Sequence, residues 1–318
     1  MRSGAIDAVR VAGICAVVMG HCVSEPWVRP ALYSWHVPLF FILAGYFWSE
    51  NRSLKSEIIS RARSLGRPYL SWLLLIAVVF IPLDSTLEGF NPGLATAQFQ
   101  NGQNSAMSYS TFWFVSVLLF AVILRRVLQV FPRPLVWALA GLGAIAAPAI
   151  GTVLAQTPLA VGSALPCMAF LFLGSAARSV RSRVTRPGLI GAALLAVSAA
   201  ALASGLVLPV DIKQGNYGTP ILSMISAAMI SLGLILCAEA GFARLPTSIG
   251  PAATGLASAG FVVVLVHPLI LWILLKFVPA LTMWPVFVIT LSVAWLIALV
   301  AQRTVAAPWL TGSSRVAL

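Results

Sequence analysis

The sequence predicts an all-helical membrane bundle: one domain of about ten spans, with both termini in the cytoplasm. Three observations carry this. Sixty per cent of the 318 residues are apolar and nine per cent are charged, where a soluble domain has about a quarter charged. Mean hydropathy is +0.97. The uncharged runs repeatedly reach the length of about 20 residues that one helical crossing needs. Helices rather than strands follow from the length of these runs, because each segment in lipid must satisfy its own backbone groups.

The first 125 residues supply four spans, beginning near Ile6, Trp35, Pro68 and Thr111 and covering roughly 6–24, 35–49, 68–83 and 111–124. Residues 134–177 carry no charge and hold two, 134–150 and 159–177, divided by a turn near Gly151 to Pro158. Each remaining run holds one: 188–208 after Arg186, 220–238 within Gln214 to Ala238, 255–275 within Leu245 to Leu275, and 284–302 after Lys276. With the first span running from inside to outside, all of the 20 Lys and Arg except Arg29, Lys213 and Lys276 fall in inner loops and tails. That bias sets the orientation. It also accounts for the net charge of +12, which is therefore no sign of a nucleic-acid partner.

The first apolar stretch carries Asp7, Arg10 and His21 and lacks a small-residue cleavage pattern, so it reads as a span and not a signal peptide. Cys15, Cys22, Cys167 and Cys237 form no CxxC pair and read as packing residues; no metal site is expected. Residues 50–67 carry five positive charges and place Leu54, Ile58, Ala62 and Leu65 on one helical face, the pattern of a surface-lying helix. Residues 83–110 form the longest outer loop, charged only at Asp84 and Glu88 and rich in amides and hydroxyls over 98–110. Such a loop is a candidate for binding sugar hydroxyls.

Charged groups within spans are the sharpest clue to chemistry, since ionised groups at mid-bilayer cost about 2.5–3.5 kcal/mol even on the gentlest scale. Arg10 and His21 are eleven residues apart, so they share a face of the first span about 16 Å apart along its axis. Asp7 precedes Arg10 by three residues, the spacing of a same-face ion pair. The second span opens with His36 at the outer face that His21 approaches, so two imidazoles lie at one depth. Glu25, four residues after His21, is placed to orient it. A neutral imidazole suits proton removal from a hydroxyl. His267 precedes Pro268 in the ninth span, where the proline frees a carbonyl that needs a partner. Trp113 is a candidate for lining the site.

These motifs, taken together and in order, resemble the membrane acyltransferase-3 family. The resemblance rests on Arg10-x10-His21, the PLFF-x3-GY segment ending at Gly45-Tyr46, and the basic stretch Arg63 to Tyr69 ending in Pro-Tyr. It continues in FWFVSVLLF at 112–120 and VLVHPLI at 264–270, so it covers nearly the whole chain. Ala44 stands where the family usually has Ser, and the arginines before Pro68 are spaced more loosely than is common. The extra extracytoplasmic domain of the larger members is not expected here, and the His36 variant looks most like the short branch that acetylates surface sugars.

The resemblance implies a multi-pass enzyme of the cytoplasmic (inner) membrane. It would move an acyl group, usually acetyl from acetyl-CoA, to a hydroxyl of a sugar, glycan or lipid-linked acceptor. His21 then matches the catalytic histidine and Arg10 the family's arginine, while Arg61, Arg63 and Arg67 match its basic segment. Guanidinium groups on the cytoplasmic side suit the phosphates of coenzyme A. His21 would act as a general base or carry the acyl group itself. Two other readings stay open on the residues alone: a transporter or flippase of a glycan, lipid or small solute, and another membrane acyltransferase type centred on His267. The transporter reading lacks the inverted repeats common in that class.

Overall fold

In the computed structural model, residues 3–314 are described apart from positions 90, 92, 94, 95, 97, 98 and 101. Arg2, Arg315, Gln98 and Asn101, all part of the readings above, lie outside the described residues.

Thirteen helices occur among the described residues. They are α1 (Gly4–Cys22), α2 (Val28–Tyr33), α3 (His36–Tyr46), α4 (Leu54–Arg61), α5 (Arg67–Glu88), α6 (Phe112–Leu128) and α7 (Arg133–Ala155). Then follow α8 (Ala164–Arg181), α9 (Pro187–Ala203), α10 (Leu222–Phe242), α11 (Ile249–Phe277), α12 (Met283–Arg303) and α13 (Ala307–Leu310). The strand-like geometry among the described residues is a single bridge between Asp211 and Asn216. Eight helical segments are long and apolar enough to cross a membrane. Two more apolar helices of the bundle, α3 at 11 residues and α9 at 17, are shorter than that standard.

Burial sorts the helices into an inner and an outer set. Helices α1, α3, α6, α8 and α11 pack among themselves and contribute most of the main core, including Val18, Phe41, Val117, Phe170 and Leu265. Helices α5, α7, α9 and α12 expose Leu, Ile and Val along one side, for example Leu74, Leu142, Leu189 and Leu296. An apolar outward face is what a lipid solvent favours.

Close approach without bulk sets the α3–α8 contact. A Cβ on Gly45 would sit 1.8 Å from the Leu171 carbonyl oxygen, and one on Gly174 would sit 1.9 Å from that of Ile42. Small residues let the two backbones meet, the usual device where lipid removes the hydrophobic drive between helices.

Between Arg61 and Arg67 the chain makes a π-helical turn over Ala62–Gly66 and then continues directly into α5. The outer loop expected from residue 83 begins later. Helix α5 runs on to Glu88, so Asp84 is buried on its last turns and Glu88 pairs with Lys276.

The bundle has two distinct ends. One gathers the N-terminus of α1, the C-terminal ends of α3, α6 and α8, and helix α4 with its arginines; we call it the basic end. His21 lies towards the other.

Candidate active site

The helix pair α1–α11 is pinned near both ends. At the basic end Asp7 accepts a hydrogen bond from Thr254 Oγ1 at 2.9 Å and from Arg10 Nη1 at 2.7 Å. Arg10 also lies over the ring of Phe47, 5.0 Å from its centroid. Near the other end His21 Nδ1 meets His267 Nε2 at 3.3 Å, with the ring centroids 5.0 Å apart. Fourteen residues of α1 and thirteen of α11 separate these contacts, about 20 Å of helix on each. Asp7–Thr254 therefore sets the register that brings the two histidines together. Arg10 serves this far anchor and does not reach the His21 cavity.

Proline chemistry shapes the α11 side. Pro268 has no N–H to offer the Val264 carbonyl, and Thr111 Oγ1 donates to that oxygen instead, at 2.8 Å. His267, fully buried, has its Nδ1 3.0 Å from the carbonyl oxygen of Val263. A carbonyl only accepts, so Nδ1 carries the proton there and a neutral ring leaves Nε2 as acceptor. His21 Nδ1–H must then be the donor to His267. The consequence falls on the far side of His21, where Nε2 keeps its lone pair. That is the atom a general base needs.

His36 repeats the device. Its Nδ1 donates to the Leu32 carbonyl at 2.6 Å, and the edge of Tyr33 lies 4.8 Å away between centroids. His21 and His36 line one small cavity with Trp113, Phe114, Phe40 and Thr111. Its volume is about 30 Å³, room for a water molecule or two. Phe114 packs edge-on against both Phe40 and Phe41 at 5.6 Å.

Glu25 does not orient His21. Helix α1 ends at Cys22 and the chain then turns, which breaks the i+4 register that the expectation required. No hydrogen bond or ion pair joins the two among the described residues, and His267 takes the place expected for Glu25. Sequence reasoning named His267 but had no signal for its pairing with His21 across 246 positions. It missed Thr111, whose only sign is its place before the aromatic helix. It also missed Lys213, on the loop joining α9 to α10 and in electrostatic range of His21. Burial pulls the Lys213 ammonium below the usual lysine range, and Asp211 partly offsets that. Asp211 itself bonds Arg29 at 2.7 Å, tying this loop to α2.

Arg61, Arg63 and Arg67 do not converge. Two helical steps turn a side chain by about 200°, and the π-helical turn adds to the spread. Arg61 bonds Glu57 at 2.8 Å, and Arg67 lies over Trp309, 4.9 Å from its centroid. Arg63 instead lines an open cavity of about 550 Å³ with Lys55 and several serines. Glu57 is itself a hub, buried and bonded by Arg61 and Arg126 at 2.8 Å and by Arg52 at 3.4 Å.

Residues 3–303 match the acyltransferase-3 family model, described as an acyltransferase domain. Nodulation protein NolL of Mesorhizobium japonicum is 29% identical over 179 residues, which is 50% of this chain and 44% of that protein. The match thus spans less than half the length of that relative. No solved structure matches.

Proposed function

From the premise that this chain belongs to the acyltransferase-3 family and is a multi-pass membrane protein, we propose that it transfers an acyl group from acyl-CoA. The acyl group is acetyl in the first instance, and the acceptor is a hydroxyl of a sugar, glycan or lipid-linked sugar. The observation that carries this is the ordered run Val263 carbonyl, His267, His21, which leaves Nε2 basic on a histidine that lines an aromatic-walled cavity.

His21 Nε2 takes the acceptor's proton as its oxygen attacks the thioester carbonyl. The C–O bond forms, the C–S bond breaks, and the departing thiolate takes the proton back from Nε2. Positive charge on His21 during this step is shared through its Nδ1–H bond to His267. His36 presents a second nitrogen to the same cavity and positions the acceptor hydroxyl. Trp113 and Phe114 exclude water, which would otherwise compete as the acceptor.

The basic end faces the cytoplasm in this reading, as the distribution of Lys and Arg favours, and the membrane is the inner one. Coenzyme A is made there, and the excess of Lys and Arg at this end supplies the positive field at the donor's entrance. The acceptor arrives from the opposite face, and ten crossings satisfy this arrangement if α3 and α9 span as well. Family membership favours the enzyme over the transporter.

The test is acetyl transfer from radiolabelled acetyl-CoA to a panel of envelope glycans, by purified wild type and His21→Ala. Transfer by wild type alone, with unchanged elution of the variant on size exclusion, supports the reading. Equal transfer by both would remove His21 from the chemistry.

A further inference from the structure

At the basic end, two adjoining cavities of about 590 and 510 Å³ open between the ends of α3, α6, α7 and α8 and share Glu50, Ser175 and Ser179 on their walls. Arg125 and Arg133 line the first; Arg178 and Trp48 line the second. The polar groups here have donors in excess of acceptors. Arg125 is 4% exposed, yet among the described residues its hydrogen bonds go only to the Leu171 carbonyl and Ser175 Oγ, at 2.9 and 2.8 Å. Arg178, at the rim, bonds only the backbone oxygens of Tyr46 and Trp48 among the described residues. Among the described residues neither has a carboxylate within ion-pair distance. Trp48, with the guanidinium carbons of Arg125 and Arg126 over its ring at 4.2 and 4.0 Å, keeps a buried Nε1–H with no acceptor among the described residues. The Nε–H of Arg126 is likewise buried without one. Glu50 is the single acid on these walls, and its pair with Arg133 is exposed on both sides.

Buried donors without acceptors cost free energy unless a ligand supplies the missing oxygens. Planar guanidinium forks match phosphate best. We propose that this double cavity binds the phosphates of the acyl-CoA donor through Arg125, Arg178 and Arg133; the assignment rests on the donor reading given above. Trp137, tilted against Phe172 with ring centroids 4.8 Å apart, gives an aromatic wall for the adenine. Geometry supports the assignment from the other end as well. Arg125 and Phe114 are eleven residues apart on α6, about 16 Å, a distance that an extended pantetheine arm bridges to bring the thioester to the His21 cavity. The cavity beside Arg63 and Lys55 lacks these features, since none of the residues lining it is buried.

Equilibrium binding of radiolabelled CoA and of pyrophosphate to the purified full-length protein tests this. The variants are Arg178→Gln and Ser179→Glu, both at exposed positions, with Lys55→Gln and Arg63→Gln for the other cavity. Loss of a charge-assisted bond predicts that Arg178→Gln weakens CoA about tenfold or more. Ser179→Glu, which adds a negative charge between the cavities, weakens it further, while Lys55→Gln and Arg63→Gln stay within about twofold. Weakening by Arg63→Gln but not by Arg178→Gln or Ser179→Glu would overturn the proposal and return the phosphates to the basic segment. Wild type that binds pyrophosphate in an Arg178-dependent way, but no CoA, would overturn the donor reading while leaving a phosphate site. Displacement of pyrophosphate by phosphatidylglycerol and not by CoA would give the site to a lipid headgroup and overturn the proposal.

Discussion

Replacing His267 with Leu removes the acceptor that faces His21 Nδ1–H, while nearly preserving side-chain bulk at a position with no solvent exposure. The bond is 3.3 Å long, slightly outside the range of strong N–H hydrogen bonds, so its loss belongs at the lower part of the usual scale. About 1–1.5 kcal/mol is then withdrawn from the transition state, in which His21 gains positive charge. That is about a tenfold fall in kcat. Outright removal of the base in His21→Ala costs about 10²–10⁴. The two variants should therefore differ clearly, with His267→Leu acting on kcat and leaving KM for the donor nearly unchanged. His267→Gln, whose amide oxygen can accept from Nδ1–H, should recover part of the loss. Steady-state acetyl transfer by the three purified variants, with thermal unfolding in detergent as the folding control, gives these numbers. A folded His267→Leu with wild-type kcat would refute the positioning argument. Loss as deep as that of His21→Ala would refute it differently, by giving His267 a chemical step of its own.

Three further outcomes follow from contacts at and beneath the site. Thr111→Val should leave the Val264 carbonyl without a donor and lower stability by about 1–3 kcal/mol, read as an earlier unfolding transition, whereas Thr111→Ser should be close to wild type. Gly174→Leu should force α3 from α8, because even a Cβ meets the Ile42 carbonyl oxygen at 1.9 Å; overpacking of about 1–3 kcal/mol or more should appear as poor yield of monodisperse protein. Thr254→Val should break the distal anchor of α1 on α11 and reduce kcat severalfold without changing donor affinity, about what one hydrogen bond is worth.

The helical frame was legible because lipid imposes a simple rule, and uncharged runs such as 134–177 obey it. Boundaries moved where a helix continues past the apolar core, as at α5, whose last turns hold the buried Asp84. Half of the candidate site was legible too. His21, His36 and Trp113 are conspicuous within their spans, and the carbonyl freed by Pro268 could be named without its partner. The partner itself, Thr111, and the pairing of His21 with His267 depend on which helices touch, and periodicity says nothing of that. Glu25 failed because an i+4 argument assumed a helix that stops at Cys22. The arrangement of the arginines was not legible for a related reason. As a cluster, Arg61, Arg63 and Arg67 catch the eye, but a helix fans them apart. Arg125 and Arg126, which look like an ordinary pair of topology charges after an apolar run, are folded back onto Trp48 and buried.

The most direct measurement of the central claim uses proteoliposomes of uniform orientation, with radiolabelled acetyl-CoA confined to the side of the basic end and a glycan acceptor confined to the other. Wild type should label the acceptor and His21→Ala should not, with equal incorporation and orientation of both. Labelling that needs donor and acceptor on the same side, or that proceeds equally without the His21 imidazole, would contradict the account.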